Sequence, residues 1–369
     1  MTNYPVRDQG SRTERECFTS LFMGQGRTLR NEFFTPAHYI AFAVVTFAIF
    51  VVCIGAGSVS VPPGLTSEIL LNAFTGRPQP EVTAVPIIMA TRLPRVLCVA
   101  LVGASLSVCG GSMQGLLKNP LADGTTLGVS SGASLGAVLA ITFRISIPGL
   151  PFAGTMVMAM LFAFLSLVII LSLAYRLDYS LSTNTIILLG VIFSMFVSSI
   201  VSLVVTFAGE RVRDITFWLM GSLAGSSYFD AAVLAVIALI CGAILLSRAR
   251  ELNAFAIGED SARHIGVDVR RVRLTVLIAV SVLIGACVSV SGVIGFVGLV
   301  TPHMVRMVTG PNHKRLLPAT LFGGACFLML ADLAARTILS PRELPIGVVT
   351  SLIGAVLFLL IFFRARQGR

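Results

Sequence analysis

Charge is scarce in this chain. Of its 369 residues only 12% are Asp, Glu, Lys or Arg, against 56% hydrophobic, and the mean hydropathy is +0.92. That balance excludes a soluble domain and leaves a polytopic membrane protein. Ionisable residues are nearly missing from the middle of the apolar runs. An ion-coupled carrier needs a buried carboxylate or histidine relay, so their scarcity argues against one. No GxxxxGK[ST] occurs, so the chain does not cradle ATP by itself. Its seven cysteines are scattered, six of them within apolar runs, with no CxxC and no Cys/His cluster. That pattern speaks against disulfides and against a bound metal. Alternation over barrel-length segments is absent too, as is any basic run with interleaved aromatics, so nucleic acid is not expected as a partner.

What the chain does have is long apolar runs. A helical span needs roughly 20 such residues, and ten segments qualify: 38–57, 94–113, 124–143, 153–174, 184–207, 229–247, 274–291, 293–308, 317–338 and 344–363, the eighth being short. The expected fold is therefore an all-α polytopic membrane protein of about ten transmembrane helices. With both termini cytoplasmic, 19 of the 27 basic residues fall inside and 8 outside, as the positive-inside rule requires. The formal charge of +10 then reports topology and anionic lipid. Residues 1–37 are polar and of mixed charge, and are expected to form a disordered cytoplasmic tail ahead of the permease domain at 38–369.

Between the sixth and seventh runs lies a charged island, RARELNAFAIGEDSARHIGVDVRRVR, with six arginines from Arg248 to Arg273. It is too long for a tight turn and too short for an enzymatic domain, which suits a cytoplasmic docking surface. An ordinary basic loop is the competing reading. Small residues recur every four positions in the second run (Gly103, Ser107, Gly111, Gly115) and the third (Gly128, Gly132, Gly136, Ala140). Each set shares one helix face, either for close helix packing or to line a wide pathway. Asp332 and Arg336 stand one helical turn apart, the spacing of an ion pair. The outer loop at 58–91 is proline-rich, with room for a short helix near Ser67–Phe74, and Asn119–Pro120 reads as a turn.

Four blocks carry a resemblance: 91–134, beginning TRLPRVLCVALVGASLSVCGGSMQGLLKNPLADGTTLG; LNAFAIGEDSARHIGV at 252–267; GVIGFVGLVTPHMVR at 292–306; and LADLAARTILSPRELPIGVVTSLIGA at 330–355. Together they resemble the FecCD/BtuC family, the permease subunits of bacterial ABC importers for iron-siderophores, haem and cobalamin, over about residues 40–369. The resemblance implies a type II ABC importer permease of the bacterial inner membrane that performs no bond chemistry and binds no cofactor. Two ABC ATPase subunits would use ATP-Mg below it, and a periplasmic or lipid-anchored substrate-binding protein would dock above. A second permease subunit, a copy or a homologue, would complete the pathway within the membrane lipid.

By the same resemblance the island at about 249–272 is the coupling segment. Leu252, Ala256, Ile257 and Gly258 would offer an apolar surface to the ATPase, and Glu259, Arg263 and Gly266 its rim. Arg92, Arg95 and Arg336, at the outer mouth, would meet carboxylates of the binding protein, for which a planar guanidinium fork is suited; snorkelling at the interface is the plainer alternative. The segment 209–225 would hold a short helix near the pathway. His303 is read as structural rather than as a haem ligand. A ferric siderophore is the favoured cargo, with haem or cobalamin as alternatives. The rivals from other classes are an ion-coupled carrier and a non-transporting membrane scaffold.

Overall fold

The computed structural model describes residues 36–57, 59–80, 82–146, 153–178 and 182–367. The expected disordered tail therefore lies almost wholly outside the described residues. Their regular structure is entirely helical, with no strand among the described residues. The helices are α1 (Pro36–Gly55), α2 (Pro63–Thr75), α3 (Leu93–Leu117), α4 (Val129–Phe143), α5 (Ala153–Leu177), α6 (Thr183–Phe207), α7 (Val212–Leu219) and α8 (Tyr228–Ser247). After them come α9 (Ala249–Ile257), α10 (Glu259–His264), α11 (Val269–Ser291), α12 (Val297–Thr309), α13 (His313–Thr337) and α14 (Ile346–Gln367).

Each of the ten apolar runs is a helix, but not all are of one kind. Seven are long and apolar enough to cross a membrane. α4 and α12 have only 15 and 13 residues, about 22 and 20 Å of rise, short of the roughly 30 Å hydrocarbon core. Both begin late for a local reason. Lys118 takes a left-handed conformation that ends α3, and the Asn119 carbonyl and side chain then accept from Ala122 and Leu121 in a tight turn. The chain re-enters the bundle at Asp123–Gly124, where a Cβ on Gly124 would overlap Ile284 of α11. A 3-10 turn and the left-handed Gly128 (φ 76°) follow before α4 starts. Gly292 (φ 67°) likewise ends α11, and Phe296 (φ 67°) turns the chain into α12. Glycine tolerates that region at no steric cost, whereas phenylalanine occupies it only where its surroundings hold it.

The second span extends beyond its expected start. Its apolar helical stretch runs Ala84–Leu117, with a π-helical segment Ile87–Arg92 leading into α3. Pro94 has no N–H to give to the preceding turn, and the wider winding there accommodates it.

α3, α11 and α13 form the buried centre, while α1, α5, α6 and α14 turn large apolar side chains outward, as lipid-facing helices do. The small-residue stripes act as seams. A Cβ on Gly103 would overlap the Gly324 carbonyl of α13, one on Gly324 would strike Gly103 and Ser107, and one on Gly111 would come within 3.0 Å of Leu317. Gly132 and Gly136 of α4 bear in the same way on Ser166 and Met158 of α5. Ser107 bonds Thr301 of α12 at 2.7 Å. Close packing, the first of the two readings of these stripes, is what the geometry displays. α3 and α13 thus lie backbone against backbone within the buried centre.

Candidate functional site

The chemistry-bearing residues gather at the two ends of the α3–α13 pair. At the end where α1 terminates, the last turn of that helix leaves backbone carbonyls without helical partners. Two arginines fill them. Arg92, carried inward by the π-helical segment, donates from Nη1 to Ile54 O (3.1 Å) and Gly55 O (2.7 Å) and from Nη2 to Val59 O. Arg336 of α13 donates to Cys53 O (3.0 Å) and Ala56 O (3.3 Å). Cations at a helix C-terminus are also favoured by the helix dipole.

Between them sits Asp332, 1% exposed. Its Oδ1 accepts from Nε and Nη2 of Arg95 at 3.0 and 2.9 Å, and its Oδ2 lies 2.9 Å from Nε of Arg336. Arg95 completes its fork with Nη1 on Glu343 Oε2 at 2.8 Å. The Asp332–Arg336 pair expected from spacing is present. The presentation expected of the three arginines is not seen in this chain alone, because Arg92, Arg95 and Arg336 are 5%, 6% and 3% exposed with their forks turned inward. A guanidinium removed from water needs partners for its donors, and the α1 carbonyls together with Asp332 and Glu343 supply most of them. Sequence reasoning passed over Glu343, whose only signal was its place after Arg342 in the LSPRELPIG segment.

At the opposite end, α9 and α10 form the expected pair of short helices, hinged at Gly258 (φ 138°). Their inner face is apolar, with Leu252, Phe255 and Ala262 essentially buried. Leu252 therefore faces the bundle core rather than a partner, a correction to its expected place on the docking surface. Helical phase explains the error: in a nine-residue helix carrying Leu252, Phe255, Ala256 and Ile257, the sequence alone does not say which side is inward. Ala256, Ile257, Arg263 and Gly266 are exposed on the outer surface, with Ile257 75% and Ile265 69% exposed. Ile265 went unnoticed in the sequence. Arg263 pairs loosely with Asp260 at 3.5 Å. Glu259 is drawn partly inward, to the buried guanidinium of Arg273 in α11.

Neutral polar groups tie this pair to the bundle. Asn253 of α9 contacts Asn312 and His313 at the start of α13. Nearby, Arg306 of α12 donates to Gln114 Oε1 at 3.1 Å, and the Gln114 amide donates to Leu299 O at 3.2 Å. The segment after α6 forms a 3-10 turn and the short helix α7, as expected for 209–225. There Ile215 is buried and Arg211 reaches the Ile141 carbonyl of α4 at 2.6 Å. His303 lies partly buried in α12, and no group of three metal-ligating side chains occurs among the described residues.

Comparison with known proteins agrees with this arrangement. Residues 44–364 match the FecCD transport family. The uncharacterized ABC transporter permease protein YvrB of Bacillus subtilis is 40% identical over 92% of this chain and 96% of its own length. The cobalamin import system permease protein BtuC of Halobacterium salinarum is 39% identical over 83% of this chain and 80% of its own. A solved structure described as an inward-facing conformation of a putative metal-chelate type ABC transporter superposes with a TM-score of 0.78 at 33% identity, over 89% of this chain and all of that one. The chain belongs to the FecCD transport family and is a multi-span ABC importer permease subunit, itself non-catalytic, with ATP hydrolysis in a separate subunit.

Proposed function

We propose that this permease forms the translocation pathway for a ferric siderophore in a bacterial inner membrane. Its α9–α10 end would face the cytoplasm and its arginine cluster the opposite side. It would work as one of two permease subunits over two ATPases. The observation that carries the reading is the exposed pair Ile257 and Ile265 on an otherwise charged hairpin. Apolar side chains that cannot sit in lipid beside so many arginines call for a protein partner, and the sequence has no nucleotide cradle of its own. ATP binding would draw the ATPases together and tilt the two bundles through these hairpins, so that access alternates.

Docking of the binding protein at the other end is supported by charge. Three guanidiniums against Asp332 and Glu343 leave the cluster net positive, and the exposed Arg342 adds to it. Such a field steers an acidic partner and sets its on-rate even where the guanidiniums are themselves buried. Arg92, bound by carbonyls, keeps its full charge for this role. The metal-chelate type of the structural relative supports a metal-chelate cargo; a ferric siderophore is the form proposed, with haem and cobalamin, which are metal chelates too, as the alternatives.

The test is reconstitution with the ATPase and binding protein, with ATP-dependent uptake of labelled ferric siderophore, haem and cobalamin measured side by side. Siderophore uptake that vanishes without the binding protein supports the reading, and uptake of cobalamin or haem alone reassigns the cargo. Within the same preparation, Arg92→Gln combined with Arg342→Glu should slow binding-protein association by about tenfold at low salt. An unchanged rate rejects the docking assignment.

A further inference from the structure

The coupling hairpin is attached to the rest of the molecule by a specific joint. Asn253 lies on the side of α9 that meets the N-terminus of α13. Its Oδ1 accepts the backbone N–H of His313 at 2.8 Å and stands 2.8 Å from His313 Nδ1. Because that oxygen is an acceptor only, Nδ1 carries the proton in this arrangement. Its Nδ2 donates to Asn312 Oδ1 at 2.8 Å, the same oxygen that caps α13 by accepting from Lys314 N at 3.0 Å. One carboxamide thus holds both the N-cap and the first residue of α13. The His313 ring is buried, and its Nε2, without a hydrogen-bond partner, abuts Gly115 so closely that a Cβ there would overlap it. The ring is wedged between α9 and α3 and has no room to swing.

What lies beyond the joint gives it a purpose. α13 runs without a break from His313 to Arg336, about 35 Å at helical rise, and it is seamed to α3 at Gly103 and Gly324. At the far end the same two helices carry Arg95, Asp332 and Arg336. A displacement of α9 therefore reaches the arginine cluster through one rigid pair of helices, provided that Asn253 holds.

We propose that Asn253 is the positioning residue that couples the α9–α10 hairpin to the α13–α3 pair, so that ATPase movement and binding-protein docking are linked through its carboxamide. This rests on the hairpin being the ATPase docking surface. A neutral amide is well matched to such a joint, because it binds both a helix N-terminus and an imidazole N–H while introducing no buried charge. Its contacts cross between two elements, whereas the bonds that Ser, Thr and Asx residues make within a single turn only shape that turn.

The experiment uses the full complex of permease, ATPase and binding protein in proteoliposomes, and reads basal ATPase rate, its stimulation by the binding protein, and uptake. Asn253→Ala and Asn253→Ser, neither able to span the gap, should retain the ATPase and its basal rate but lose binding-protein stimulation and uptake by about tenfold, the scale of a broken coupling. Asn253→Asp keeps the acceptor for both His313 bonds but sets a carboxylate oxygen against Asn312 Oδ1, and should recover part of both. The joint is overturned if Ala or Ser variants couple as the unaltered protein does, or if all three variants lose coupling equally. It is also overturned if Ala and Ser both shed the ATPase, since Asn253 would then belong to the docking scaffold. Ile257→Glu is run alongside: if it still binds the ATPase at full strength, the docking reading itself fails, independently of the joint.

Discussion

The two ends of the α3–α13 pair solve opposite problems. At the arginine end, charges are buried and matched inside the fold, with four residues (Arg92, Arg95, Asp332 and Arg336) no more than 6% exposed. At the hairpin end, the groups that join the hairpin to α13 are neutral, Asn253, Asn312 and His313, while several charges and two isoleucines stand outside. Burying a charge costs several kcal/mol unless every donor and acceptor is met, so the arginine end must be completed before any partner arrives. On the proposed reading, a partner at the arginine end would meet a field, whereas one at the hairpin end would meet side chains directly, with apolar contact supplying the affinity.

The sharpest way to break this contrast is at Asp332. Asp332→Ala leaves Arg95 and Arg336 buried with too few acceptors, and should cost about 3–5 kcal/mol, read as a large fall in unfolding temperature or in accumulation of the purified chain. A variant as stable as the parent would mean that the cluster opens to water. A smaller loss is expected at the seam that joins the ends. Gly324→Ala presses a methyl into Gly103 and Ser107 and should destabilise by about 1–3 kcal/mol, measurable by thermal unfolding in nanodiscs.

The smallest effects belong to the hairpin, and they should split by chemistry. Ile257→Glu should weaken ATPase binding by about 2 kcal/mol, whereas Arg263→Ala, an exposed rim residue, should cost under about 1 kcal/mol. Both are read by titrating the ATPase onto the reconstituted permease, with chain stability unchanged. Equal losses would show that this end, too, works through charge.

Much of this organisation was legible beforehand, and the exceptions have physical causes. Seven of the ten apolar runs appear as full-length spans because lipid demands long hydrophobic helices whatever the tertiary contacts. The Asp332–Arg336 pair appears because both residues share one helix turn. Arg95, by contrast, meets Asp332 across 237 positions, a pairing no local spacing reports. The late start of α4 was hidden because residues 124–128 are as small as the helix they precede, while Gly124 sits where a Cβ would overlap Ile284 of a distant helix.

By itself, then, the sequence determined the class, the ten apolar helices, the position of the short-helix hairpin and the family, all of which depend on composition and on short-range motifs. Tertiary structure alone decided which way the arginines and Leu252 point, that the glycine stripes are seams, and that Asn253 reaches α13. Those outcomes depend on which helices touch, and contact between residues tens to hundreds of positions apart is set by packing the whole chain into one bundle.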